Sequence, residues 1–81
     1  MRDKETVKQE LLGAFRAAGA GAGALLPPKW LQRHYLPTFA PAEEAAFEQA
    51  VRELIDAELV EYVERGSPNL RLTDKGAAAI R

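Results

Sequence analysis

Leu59-Val60-Glu61-Tyr62-Val63-Glu64, then Arg65-Gly66-Ser67-Pro68-Asn69, then Leu70-Arg71-Leu72-Thr73: the reading of this stretch decides the fold. Its first part is rich in β-branched and aromatic residues and has lost the helical spacing of the residues before it, so it reads as a strand. Arg65 to Asn69 is a turn-forming cluster, with Gly66 and Asn69 suited to positive backbone dihedrals. Leu70 and Leu72 then point one way and Arg71 the other, as a short return strand requires. The prediction is a β-hairpin with a loosely held tip, closed by Thr73 capping a last helical turn through Ala79.

Upstream of the hairpin the pattern is helical. Asp3 is a candidate N-cap, and Val7, Leu11, Leu12, Phe15 and Ala18 recur at helical spacing, which predicts an amphipathic first helix over about Lys4–Ala18. Gly19, Gly21 and Gly23 alternate with alanine and make a connector, because each glycine costs a helix roughly 1 kcal/mol relative to alanine. These glycines follow a helix rather than a strand and lack a Gly-Lys-Ser/Thr ending, so they do not read as a phosphate loop. Leu25 and Leu26 supply a very short extended piece.

Pro28 suits a first helical turn, so Lys29–Leu36 is predicted as a second helix with Trp30, Leu31 and Tyr35 as its apolar contacts and Pro37 as its stop. Pro41, Glu43 and Glu44 open the third helix, Ala42–Ala57, with acids set against the positive end of its dipole. Phe47, Ala50, Val51, Leu54 and Ile55 form its expected core stripe.

Eighty-one residues can close one hydrophobic core, so a single domain over residues 1–81 is expected, mainly α with a small β-hairpin (α+β). The absence of cysteine removes disulfides, thiolate metal sites and cysteine nucleophiles. With no apolar run of membrane-spanning length and no signal-peptide pattern, the expectation is a cytoplasmic protein without a membrane partner. The formal net charge of −1 hides an uneven distribution. Between Glu43 and Glu64 eight acids face one base, Arg52, a net of −7, so the remainder carries +6.

Catalytic candidates are scarce. His34 is the only histidine and Ser67 the only serine, the latter in a Gly-Ser-Pro turn. Neither has the partners that a triad or a transition-metal site needs, so no enzyme activity, cofactor or metal is expected. Glu44 and Glu48, one turn apart, read as a solvated helix face rather than an acid/base pair, and Trp30 reads as core rather than as a stacking platform.

The run Ala50-Val-Arg-Glu-Leu-Ile-Asp-Ala-Glu-Leu-Val60, the hairpin, and the ending Leu70-Arg-Leu-Thr-Asp-Lys-Gly76 resemble the recognition-helix end, wing and Leu-Thr-x-x-Gly ending of winged helix-turn-helix regulators of bacteria and archaea. The resemblance implies a three-helix core plus a wing and a transcription regulator that binds double-stranded DNA. Lys29, Arg33, Arg65 and Arg71 would then touch phosphates, while Gln49 and Arg52 would meet base edges. Two departures stand out. Glu58 occupies a position where such regulators commonly carry glycine, so the third helix is expected to end differently. The helix that would enter the major groove exposes Glu43, Glu44, Glu48 and Glu53 beside Gln49 and Arg52, and carboxylates repel phosphates. The alternative function is a protein-interaction module that docks through Glu43, Glu44 and Glu48; a homodimer through the first helix or the tail is compatible with either.

Overall fold

A computed structural model of the protein describes residues 2–27, 29–64 and 68–80. The first helix, α1 (Lys4–Ala17), starts where Asp3 accepts a hydrogen bond from the Thr6 amide at 2.8 Å. It buries Val7, Leu11 and Phe15, one residue per turn on one face. It ends at Ala18, with Gly19 in the left-handed region at φ 66°. There the Gly19 and Ala20 amides bond back to the Arg16 and Phe15 carbonyls at 3.0 Å each, a Schellman ending that satisfies the last carbonyls.

The predicted second helix is not α-helical. Lys29 lies outside it at φ 63°, Leu31–Tyr35 is a π-helical turn closed by the Leu36 amide on the Leu31 carbonyl, and Leu36–Thr38 is a 3-10 turn. The reason is Pro37, which offers no N–H to the preceding turn and crowds it with its ring. The segment widens and then tightens around the proline instead of stopping before it. Leu31 and Tyr35 are buried as predicted, with Trp30 half-buried beside them.

A 3-10 turn, Pro41–Glu43, leads into the helix α2 (Glu44–Asp56). Ala40 has no side-chain oxygen to cap with, so only the reverse half of a capping box forms: Glu43 accepts from the Ala40 amide at 2.8 Å. The core stripe of α2 corrects the prediction in one residue. Ala50 and Leu54 are buried and Phe47 and Val51 half-buried, but Ile55 is exposed. At its C-terminus α2 also departs from expectation. Glu58 keeps the left-handed conformation usual for glycine, at φ 62°, and the Glu58 and Leu59 amides bond the Ile55 and Leu54 carbonyls at 2.9 Å each. The Schellman geometry is retained despite the side chain, because those bonds and the strand that follows hold it.

β1 (Val60–Glu64) and β2 (Pro68–Leu72) pair antiparallel in the register Val60↔Leu72, Glu61↔Arg71, Tyr62↔Leu70. Of the predicted turn cluster Arg65–Asn69, residues 65–67 lie outside the described residues, and the rest corrects the prediction. Pro68 and Asn69 belong to β2, opposite Glu64 and Val63, and Asn69 is not at a positive dihedral but is held by its side-chain bond to the Leu26 carbonyl. On its other edge β2 bridges Leu25, the expected extended piece, and the Leu72 amide and carbonyl bond Ala24 and Gly23 at 2.9 and 2.7 Å. The short helix α3 (Asp74–Ala79) closes the chain. Thr73 caps it by accepting from the Gly76 amide at 2.9 Å, and its hydroxyl lies 2.5 Å from the Glu58 carbonyl. Leu72 fills the core below, which accounts physically for the Leu-Thr-x-x-Gly ending.

The result is an α+β fold in which Val7, Leu11, Phe15, Leu26, Leu54 and Leu72 belong to one hydrophobic cluster. Among the described residues, no helix is long and apolar enough to cross a membrane.

Candidate interaction site

One face of α2 is committed to the rest of the molecule. Glu53 receives Lys4 at 2.7 Å and also pairs with Lys8, both on α1. These ammonium groups lower the Glu53 carboxyl below its ordinary range, Lys4 first, and Glu53 in turn raises Lys8. Glu43 is half-buried, and its second oxygen accepts the Arg2 amide at 2.7 Å. The hydrogen bonds from Ala40 and Arg2 hold it below the usual carboxylate range. Neither Glu43 nor Glu53 belongs to the open acidic face expected from the sequence: Lys4 and Lys8 of α1 pair with Glu53, and the Ala40 and Arg2 amides occupy the two oxygens of Glu43.

Arg2 also lies over aromatic rings. Its guanidinium carbon is 4.2 Å from the Phe39 ring centre, and Phe39 packs edge-on against both Tyr35 and Phe47. Trp30 stacks on Tyr35 at 4.8 Å, which places it in this cluster. The Tyr35 hydroxyl donates to Glu10 at 2.8 Å; burial, then that bond, raises its pKa.

The opposite face of α2 is open. Glu44, Glu48 and Arg52 follow one another at intervals of four residues, Gln49 lies on the adjoining row, and all four are exposed. The predicted cations fare differently. Lys29 and Arg33 are exposed, and neither makes an ion pair with a described residue. Arg65 lies outside the described residues. Arg71 is half-buried and reaches Glu61, its cross-strand partner, at 3.4 Å. That pairing offsets locally the charge a phosphate contact would use.

The sequence reading missed an apolar row between α2 and β1. Phe47, Val51 and Ile55 succeed one another a turn apart, with Ile55 36% and Tyr62 52% exposed. Tyr62 pairs with Leu70 and shares its sheet face, whereas Leu25, also exposed, lies with Arg71 and Glu61 on the other. A crevice of about 130 Å³ opens between the middle segment, α2 and the hairpin, lined by Leu31, Leu36, Phe47, Val51, Tyr62 and Leu70. It continues into a shallow groove along α2 past Glu48, Arg52 and Ile55. The available signal was the width of the apolar arc: Ala46 through Ile55 carries more apolar positions than one packed face covers.

Among the described residues no cluster of histidine, aspartate or glutamate is placed to hold a metal ion, and His34 is exposed. Comparisons of the chain with protein-family models, with curated proteins and with solved structures give no match.

Proposed function

We propose that this chain is a non-catalytic, winged-helix-like binding module that docks a protein through the face formed by α2 and the hairpin. The element order supports the winged-helix part of the reading, as does the placement of β2 between β1 and the Leu25 segment. The observation that carries the docking part is the exposed apolar row of Ile55 and Tyr62, continuous with Val51 and Phe47, beside Glu44 and Glu48. A helix reading a DNA groove would set cations against phosphates there, and exposed apolar groups of this kind gain nothing from a polyanion.

A photo-crosslinking amino acid at position 55, in the cells that make the protein, tests this directly. The expected product is an adduct that protease removes and nuclease leaves intact. A nuclease-sensitive adduct would transfer the face to nucleic acid, with Arg52 and Gln49 at the bases and Lys29 and Arg33 at phosphates. No adduct at all would reject docking through this face.

A further inference from the structure

We infer that the occupant of this face is a basic amphipathic helix that seats one large apolar side chain in the crevice beside Tyr62; this rests on the protein-docking reading above. The crevice measures about 130 Å³ and its wall is almost wholly apolar. Cavities of roughly 150 Å³ take a benzene ring, so this one fits a leucine or a small aromatic ring. Gln32 and Asn69 are the two amide residues in its lining, and Asn69 is already engaged: its side chain donates to the Leu26 carbonyl at 3.1 Å and accepts from the Leu70 amide at 2.8 Å. Among the described lining residues that leaves Gln32, which is exposed, beside a wall that favours an apolar side chain.

The occupant is extended, because the crevice opens into the groove that follows α2 past Val51 to Ile55. Phe47 and Ile55 are two turns apart, roughly 12 Å along the axis at 1.5 Å per residue. That length matches the anchors at i, i+4 and i+7 of a helix laid in a groove. The rim sets the partner's charge. Glu48 lines the groove, Glu44 precedes it by one turn and Glu58 lies near Ile55; all three are exposed and make no ion pair with a described residue, and they outnumber Arg52, the one cation in the groove lining. Lysine or arginine beside the apolar anchors would meet these carboxylates. A second copy docked through its own α2 or α1 does not fit, since α2 would bring the same acids and the α1 residues Lys4 and Lys8 are paired with Glu53.

The test uses the full chain and a designed helical peptide of leucine and lysine, with leucines at i, i+4 and i+7, followed by amide chemical shifts. Saturable shifts centred on Val51, Ile55, Tyr62 and Leu70 are expected. Replacing the leucines with alanine should weaken binding about tenfold or more, as loss of a buried leucine requires. Replacing the lysines with glutamate should abolish it. Ile55→Asp, at an exposed position that should leave the fold intact, should weaken the parent peptide by a similar factor, and Glu44→Lys with Glu48→Lys should do so through charge. Equal affinity for the alanine peptide would overturn the proposal by showing attraction through charge alone, as would shifts centred elsewhere or no binding. If the peptide fails while position 55 still crosslinks to a polypeptide, the helical occupant falls and protein docking stands. Failure of both removes both.

Discussion

Gly76 lies so close to the Leu59 carbonyl that a β-carbon on it would stand 2.0 Å from that oxygen. The contact is backbone against backbone and cannot relax by rotating a side chain. It joins the start of α3 to the start of the hairpin, where the Thr73 amide also donates to the Leu59 carbonyl at 3.1 Å. Gly76→Ala is therefore expected to cost at least about 1–3 kcal/mol, the range for overpacked sites. Thr73→Ala should cost about 1 kcal/mol through the lost cap, and Thr73→Ser much less. Urea midpoints measure both; an unchanged midpoint for Gly76→Ala would show that α3 does not pack this way.

The phase of α2 is tested by two adjacent residues. Leu54→Ala removes a buried side chain and leaves a cavity, at roughly 2–5 kcal/mol. Ile55→Ala should fall within about 0.5 kcal/mol, as surface changes do. Equal losses in thermal or urea unfolding would place Ile55 in the core after all and remove the apolar row.

Glu58 carries a backbone conformation that costs an L-residue roughly 1–2 kcal/mol. Glu58→Gly should relieve part of this and stabilise the domain by about 1 kcal/mol. Glu58→Ala removes the same charge without relieving the backbone, so it should not. If both variants stabilise alike, charge rather than conformation is the cause.

The elements written in local chemistry were legible in the sequence. Asp3 capping α1, the alternation of Leu70, Arg71 and Leu72, and Thr73 before α3 all depend on residues a few positions away. Ile55 was not, because helical periodicity gives the direction of an apolar arc but not how much of it neighbours will cover. Glu43 and Glu53 read as solvated for a related reason: their partners Arg2, Lys4 and Lys8 are distant in sequence and meet them only when α1 packs on α2. Of the candidate site, Glu44, Glu48, Gln49 and Arg52 were placed correctly on the open face, while the pairing of Arg71 with Glu61 depended on strand register.

The pH dependence follows from the ion pairs between α1 and α2. Glu53 lies below its ordinary 4.5 because of Lys4 and then Lys8, so its contribution is present above pH 4.5 and is lost as pH falls through the lowered folded value. Glu43 behaves likewise. Lys8, raised above 10.5 chiefly by Glu53, contributes fully below pH 10.5 and loses that contribution as pH rises through the raised value. A plateau between these limits is expected in urea midpoints measured across pH, and Glu53→Gln should make the acid limb shallower. The change should be small and shrink with added salt, because these groups are solvent-facing. An acid limb identical in Glu53→Gln would exclude the pairing.

The strap from Gly23 to Leu26 has a consequence for the order of folding. It joins β2 by long-range bonds, the Asn69 side chain reaching the Leu26 carbonyl across 43 positions in the chain, whereas the hairpin and helices close over short separations. Long loops must lose their closure entropy before such contacts return anything. We expect the hairpin to assemble first and the strap to attach late. Substitutions at buried Leu26 should then mainly accelerate unfolding, whereas those at Leu70 should slow folding.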